Sequence, residues 1–334
     1  MTGLRRFAAE RLAALVAVLV ALTAIVFLLE RQVPANPVRA LLGTSASSAS
    51  VAAKKHQLYL DRGLGTQFWH FLVGAVQGNL GMSLHTRRPV MSDIRSFLPA
   101  TLELAFTAAV IAGVIGVAVG LLTARSRGRA TRLGLLAAAS IPQFLLGLIL
   151  LLLFYSKLQW LPGQGRLSSG VTAPSGPTGM YTVDSLLHGE LSTFGNALWH
   201  LLLPAVTLAI VPSVAIARTL RSSLQTTLRA DYIRTARAKA LPERTVLLRH
   251  ALRNSAQAPL TMAGLQVGLL LSGVVVVEDI FAFPGIGLYM VRSIQTFDLP
   301  AVAGVSLVLG AMYVVINALV DLAQAWTDPR VRVR

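Results

Sequence analysis

The sequence contains no cysteine and few charged residues, and both shortages limit the kind of protein it can be. Without cysteine, neither a disulfide framework nor a thiolate metal site is possible. Only 13% of the 334 residues are charged, against about a quarter in typical globular proteins, whereas 54% are hydrophobic. Polar surface is therefore too scarce to cover a water-soluble chain, and we expect a surface that faces lipid.

Acidic residues are especially scarce, since 14 Asp and Glu stand against 30 Lys and Arg for a formal net charge of +16. On a soluble domain such an excess would suggest nucleic acid binding. Here the basic residues are absent from the long apolar segments and crowd into the connections beside them, which is typical of orientation in a membrane. We therefore expect a lipid bilayer as partner, and no nucleic acid.

Six apolar segments are long enough to cross a bilayer as helices. The first, Leu12–Leu29, has 18 uncharged residues, or about 27 Å of helix. It is longer than the apolar region of a cleaved signal peptide, and no convincing cleavage site follows it, so we interpret it as a retained helix. The other five segments cover 99–123, 133–156, 197–217, 259–281 and 300–326.

The basic residues also predict which connections face the cytoplasm. With both termini inside, the cytoplasmic segments hold 19 of the 30 Lys and Arg residues. These segments make up well under half of the residues outside the spans, so the basic residues are concentrated there, as the positive-inside rule requires. These segments are 1–11, 124–132, 218–258 and 327–334. We divide the chain into residues 1–98 (first helix and extracytoplasmic segment), 99–326 (a five-helix core that contains the cytoplasmic loop 218–258) and 327–334 (a cytoplasmic tail).

The loop 218–258 has a regular pattern that a passive connector would not need. Leu228, Tyr232, Ala236 and Ala240 recur every four residues, with Ile233 beside them and basic residues around this apolar row. The spacing predicts a short amphipathic helix. A bare charge run would be interpreted as a solvated loop that holds lipid headgroups, but an ordered, Ala-rich helix favours docking into a groove of another protein.

Proline interrupts this helix and predicts a second one. This proline is Pro242, which lies within the loop. Three others, Pro142, Pro204 and Pro212, fall inside apolar segments and predict kinks there. A proline inside a helix removes a hydrogen bond and clashes with the preceding turn, but it suits the first position of the next helix. The acidic Glu243 beside it suits the positive end of that helix.

This loop resembles the EAA loop of the permease subunits of dipeptide, oligopeptide and nickel ABC importers. The similarity lies in DYIRTARAKALPER at 231–244 and LLRHALRN at 247–254. Further similar runs cover most of the chain: LPATLEL at 98–104, LQWLP at 158–162, VVVE at 275–278, FPGIG at 283–287 and DPRVR at 328–332.

The resemblance implies an all-α integral membrane protein, a six-helix type I importer permease of the MetI-like fold with both termini cytoplasmic. It also implies three kinds of protein partner: one or two types of ATPase subunit, a second homologous permease subunit and an extracytoplasmic substrate-binding protein. No phosphate-binding loop motif is present in the sequence, so ATP and Mg²⁺ would be bound by the ATPase subunits, and this chain would be no enzyme and carry no cofactor.

The resemblance further implies which residues dock on the ATPase and act as the coupling helix: Asp231, Tyr232, Ile233, Ala236, Lys239, Ala240, Leu241, Pro242 and Glu243. The family usually has glycine where this chain has Ala240. Alanine would be strained if the position needs a positive φ, but it would suit an ordinary helical position better than glycine. We predict the ordinary helical position.

Five polar residues within or beside the apolar segments are candidates for the substrate path or for structural roles: Glu103, Glu278, Asp279, Asn317 and Asp321. Membrane carboxylates are suspected of function because a charge there is costly. Each acid lies near a predicted interface, however, where water or a neighbouring helix can satisfy it, and Asn317 suits a hydrogen bond between helices. Three glycines, Gly113, Gly116 and Gly120, predict close helix packing.

The resemblance favours di- or oligopeptides as substrate, and three alternatives are weighed against it. Nickel or another small solute is possible within the same family, although the six histidines show no metal-ligand spacing. A stand-alone secondary transporter would show inverted repeats, and no internal repeat is evident. An intramembrane enzyme would need motifs such as paired Asp, Gly-x-Ser-x-Gly or His-Glu-x-x-His, and the sequence has none of them.

Overall fold

The computed structural model describes residues 2–32, 47–57, 59–124, 126 and 128–327, and these are overwhelmingly helical. Within these ranges the only strand-like feature is one antiparallel bridge between Met82 and Pro89. The predicted all-α class is thus confirmed. The helices run over Thr2–Gln32, Ser48–Gln57, Leu64–Val76, Val90–Thr123, Arg129–Ser140, Gln143–Leu150 with a π-helical extension Leu151–Lys157, Tyr181–Leu187, Leu191–Thr227, Asp231–Ala238, Glu243–Thr245 with a π-helical turn Val246–Ala251, Leu252–Ser255, Gln257–Ile280, Ile286–Gln295 and Leu299–Thr327.

Five helices are long and apolar enough to cross a membrane, and a bent helix pair can supply a sixth crossing. We number these spans one to six in chain order, and the predicted segments all fall on them. The five continuous ones are Leu12–Leu29, Val90–Thr123, Leu191–Thr227, Gln257–Ile280 and Leu299–Leu322, which are the first, second, fourth, fifth and sixth spans.

The third span is broken rather than continuous. Its halves, Leu133–Ser140 and Gln143–Lys157, are bent by 92°. Pro142 disfavours helical geometry in the residue before it, and Ile141 is extended with a ψ of 123°. The kink predicted at Pro142 is therefore confirmed as a full break, whereas the fourth span runs as one helix through Pro204 and Pro212.

The described chain forms two compact units. The first comprises the residues up to Leu98 together with Tyr289–Ala318. In it, Val26 of the first span packs with Ala303 and Leu307 of the sixth. Aromatic rings of the helix Leu64–Val76 surround Phe27, at 5.6 Å between centroids for both Phe68 and Phe71.

The second unit comprises Pro99–Leu288 with Leu319–Thr327. Its core is built from the second, fourth and fifth spans, which contribute residues such as Leu104, Leu208 and Val274. These helices approach closely at Gly116, where an added Cβ would lie 2.8 Å from the Ile216 side chain, and at Gly120, where it would lie 2.9 Å from Leu220. The predicted packing role is confirmed for these two glycines. It is wrong for Gly113, which has open space beside it.

Candidate functional site

Residues 231–254, which we call the coupling segment after the role predicted for them, lie within the second unit and pack there through apolar side chains. Its first helix, Asp231–Ala238, buries only Ile233 and Ala236. Both belong to a small hydrophobic cluster with Leu220 and Leu224 of the fourth span and with Val246 from the second half of the segment. The helix is therefore packed against the end of the fourth span through a cluster that is separate from the main core of the unit.

The other face of the first coupling helix is exposed and charged. Tyr232, Arg234, Arg237 and Lys239 all point away from the cluster and remain exposed. Two contacts fix this face to the second half of the segment: Asn254 Nδ2 donates to Tyr232 Oη at 3.0 Å, and Arg237 Nε donates to Glu243 Oε1 at 2.8 Å. The segment therefore presents an exposed surface with several basic side chains.

The helix ends in a tight turn, and the prediction for Ala240 was wrong. The φ of Ala240 is +53°, which is the left-handed region that favours glycine. The N–H of Ala240 donates to the Arg237 carbonyl at 2.9 Å, and that of Leu241 reaches the Ala236 carbonyl at 3.4 Å. These two bonds form the Schellman pattern that closes helix C-termini. The left-handed residue ends the first helix, and the next helix begins three residues later, directly after a proline.

Pro242 separates the two helices as expected but lies one position earlier than predicted. It is the N-cap residue, with an extended ψ of 137°, and Glu243 is the first helical residue. Leu241 and Pro242 therefore form the corner between the helices. Glu243 keeps the predicted favourable place in the first turn.

Glu103 of the second span is buried and fully engaged within the protein. Arg166 lies in the long loop 158–180, which joins the third span to the helix Tyr181–Leu187. It donates to Glu103 Oε2 at 2.7 Å, and both side chains are at most 7% exposed. The other carboxylate oxygen accepts from the backbone N–H and the hydroxyl of Thr182, each at 2.6 Å. The Arg166 guanidinium also lies 3.4 Å from the centre of the Tyr181 ring. Glu103 thus fastens a long loop to the second span.

Glu278 at the end of the fifth span is completely buried and makes a second such attachment. Its Oε1 accepts from Thr101 Oγ1 at 2.6 Å. Its Oε2 accepts from the backbone N–H groups of Gly287 at 2.7 Å and Leu288 at 3.1 Å. Thr101 in turn accepts from the N–H of Ile286 at 2.8 Å. The carboxylate therefore caps the N-terminus of the helix that follows the fifth span.

The glycines of the FPGIG run are explained by this cap. An added Cβ at Gly285 would overlap the Glu278 carboxylate, and one at Gly287 would lie 2.5 Å from the Val275 Cα. Only residues without a side chain allow the backbone to approach the carboxylate this closely. The run is thus shaped by Glu278.

The remaining polar candidates lie in different surroundings. Asp279 is exposed, although it neighbours Glu278, and Asp321 is half-buried. Asn317 donates to the carbonyl of Tyr313 at 2.9 Å, which lies one turn earlier in the same helix rather than in a neighbouring one. Among the five candidates, only Glu103 and Glu278 are thus nine-tenths or more buried and saturated with donors.

Sequence reasoning missed a second group of buried acids, which lies in the first unit. Asp93 accepts from Thr86 Oγ1 at 2.6 Å and from Tyr289 Oη at 3.1 Å, and Asp298 accepts from Ser83 Oγ at 2.5 Å. Burial, with the nearby Asp93 charge, raises the pKa of Tyr289 well above its ordinary value. The sequence did contain a signal for them, because any acid close to an apolar segment is notable in a sequence with so few acidic residues.

Comparisons with known proteins agree across the chain. Residues 112–333 match the family described as binding-protein-dependent transport system inner membrane component, and residues 4–105 match its N-terminal region. The chain is 43% identical over 326 residues, 96% of each chain, to the probable D,D-dipeptide transport system permease protein DdpB of Escherichia coli K12. It is 39% identical over 331 residues, 98% of each, to the di/tripeptide permease protein DppB of Pseudomonas aeruginosa UCBPP-PA14. It is 36% identical over 334 residues, 98% of each, to the dipeptide permease protein DppB of Escherichia coli K12.

Proposed function

The chain belongs to the family of binding-protein-dependent transport system inner membrane components, and from this premise we propose that it is the permease subunit of an ATP-driven peptide importer. Together with a homologous permease it forms the path for di- or oligopeptides that a binding protein delivers. The peptide class is supported by the names of three relatives, which are dipeptide, D,D-dipeptide and di/tripeptide permeases. The protein lies in the bacterial inner membrane, with both termini in the cytoplasm.

The energy for transport comes from ATPase subunits that dock on the coupling segment. The observation that carries this proposal is the division of the first coupling helix into two faces. Ile233 and Ala236 pack it against the end of the fourth span, and its other side chains are exposed. A helix with these two faces can bind a partner and move the fourth span with it as a rigid lever between outward-open and inward-open states.

Docking can be tested with a charge placed on the exposed face. Ala238 is the last residue of the first coupling helix and is exposed. We expect Ala238→Glu to leave the amount of inserted permease unchanged but to reduce ATPase co-purification and ATP-dependent dipeptide uptake at least tenfold. The reason is that the added carboxylate would lose its water in the docking groove of the ATPase subunit without gaining a partner of opposite charge. Uptake is measured with the complete transporter in proteoliposomes.

The matched control is Ala130→Glu, which adds the same charge to another exposed alanine in a different predicted cytoplasmic connection. It should leave ATPase binding and uptake as in the unchanged protein. Normal ATPase binding and uptake with Ala238→Glu would contradict the lever. Uptake of dipeptide without ATPase subunits would instead favour a stand-alone transporter, and ATP-dependent uptake of nickel in place of peptide would favour the other solute class.

A further inference from the structure

A cavity of about 600 Å³ opens in the second unit among the third, fourth and fifth spans, and neither the coupling segment nor the buried acids take part in it. One part of its wall is apolar and includes Leu135, Leu136 and Met262. The other part is polar and basic and includes Arg218, Arg221 and Ser222. The cavity thus has an apolar wall on one side and two guanidinium groups on the other.

Arg221 is held in place without neutralising its charge. Its Nε donates to the carbonyl of Thr123 at 3.2 Å, and its Nη2 donates to the carbonyl of Ser126 at 2.7 Å. Both acceptors are neutral, and no ion pair joins Arg221 to an acid within the ranges that the structure describes, so these contacts leave its positive charge uncompensated. The two bonds also orient the side chain, which lowers the entropy lost when an anion binds.

Arg218 lies one helical turn before Arg221, on the same side of the fourth span. Its side chain is exposed, and no hydrogen bond or ion pair joins that side chain to another residue that the structure describes. No Asp or Glu occurs among the residues that line the cavity within the described ranges. Two like charges at this spacing repel each other unless an anion lies between them.

We propose that this cavity binds the headgroup of an anionic phospholipid, with its phosphate between Arg218 and Arg221 and its acyl chains along the apolar wall. Guanidinium groups bind phosphate with paired, charge-assisted hydrogen bonds. The predicted topology puts Arg218 at the cytoplasmic end of the fourth span, and the inference rests on that orientation. Basic pockets between membrane helices on this side bind acidic lipids, which are enriched there.

The two parts of the wall distinguish a lipid from a free phosphate. A free phosphate would use only the arginines, whereas a lipid would use Leu135, Leu136 and Met262 as well, which increases its affinity through apolar burial. The bound lipid would link the first half of the third span to the fourth and fifth. It would therefore stabilise the folded chain by mass action.

The test is a thermal unfolding titration of the purified full chain in a neutral detergent. The probes are dioleoyl phosphatidylglycerol, dioleoyl phosphatidylcholine and inorganic phosphate. We expect phosphatidylglycerol to raise the midpoint by several degrees, with saturation, and the other two to have little effect. Arg218→Gln should weaken the apparent phosphatidylglycerol affinity about tenfold, because one charge-assisted interaction is lost, whereas Arg218→Lys should keep part of it.

Arg229→Gln is the matched control, because it removes the same charge from an exposed arginine that does not line the cavity. It should leave the phosphatidylglycerol titration unchanged. With the purified chain, three results would overturn the proposal: equal stabilisation by phosphatidylcholine, unchanged affinity in Arg218→Gln, or full stabilisation by inorganic phosphate, which would assign a free anion instead. Loss of the phosphatidylglycerol effect in the assembled transporter would also overturn it, since the cavity would then be a subunit interface.

Discussion

Two ion pairs of the same chemistry illustrate how differently this protein uses charge in two regions. In the coupling segment, Arg234 and Asp231 approach to 3.4 Å while their side chains remain 77% and 96% exposed. In the attachment of the long loop, Arg166 and Glu103 approach to 2.7 Å at 7% and 5% exposure. The exposed pair leaves its charges available to a partner, whereas the buried pair uses them to hold the chain together.

The largest effect is expected when the buried pair is broken. Arg166→Ala leaves the Glu103 carboxylate buried without its counter-charge, and removing one partner of a buried pair costs about 3–5 kcal/mol. We therefore expect a markedly lower unfolding midpoint in detergent, together with rapid proteolysis of the loop around residues 163–181. The measurement is thermal unfolding combined with limited digestion by proteinase K, because the substitution removes the single trypsin site within 163–181.

The exposed pair supplies the control. Arg234→Ala removes the same side chain from a solvated surface, where an ion pair contributes no more than about 0.5 kcal/mol. Its unfolding midpoint should stay within about two degrees of the unchanged protein, although ATPase binding is expected to weaken. Similar losses of stability in both variants would mean that burial does not separate the two regions.

A smaller effect is expected from two neighbouring acids, one buried and one exposed. Glu278→Gln keeps the volume, but it replaces one of the two acceptor oxygens by an NH2 group. Since Thr101 donates to one carboxylate oxygen and backbone N–H groups donate to the other, the NH2 group must face a donor on one side. Disturbing a buried charged acceptor costs about 1–3 kcal/mol. We expect a corresponding loss of stability in chemical denaturation, and faster hydrogen exchange in the helix Ile286–Gln295 that Glu278 caps.

Asp279→Asn changes the next residue by the same atoms on an exposed side chain. It should leave both stability and exchange unchanged. If Glu278→Gln instead leaves the fold intact and raises only the peptide concentration needed for half-maximal uptake, then Glu278 is a substrate contact and not a structural cap. The pair thus separates the two roles that the sequence left open.

Features that depend on neighbouring residues were predictable from the sequence. Uninterrupted apolar runs show where the chain crosses the lipid, because there a helix is needed to satisfy the backbone hydrogen bonds. The four-residue spacing before Pro242, together with that proline, predicted two helices with a corner between them. Such local patterns need no knowledge of the fold. The all-α class, the spans and the two coupling helices follow from them.

Features that depend on distant residues were not predictable. Glu103 meets Arg166 across 63 positions of sequence, and Glu278 meets Thr101 across 177. The acids alone indicated a costly buried charge but not its partner. The break at Pro142 was predicted as a kink, yet its 92° angle depends on how the flanking helices pack. The prediction for Ala240 was wrong for another reason. Alanine is a good helix former, so its presence gave no sign that this position has a left-handed conformation.

The smallest expected effect tests that turn. Ala240→Gly places in the left-handed position the residue that prefers it, and we expect the coupling segment to become more stable by about 1 kcal/mol. Ala238→Gly puts the same change two residues earlier, in helical conformation, where glycine costs about 0.5–1 kcal/mol. Hydrogen exchange over residues 231–245 should therefore slow in the first variant and quicken in the second. Faster exchange in both variants would mean that residue 240 has an ordinary helical conformation and that no left-handed turn ends the first helix.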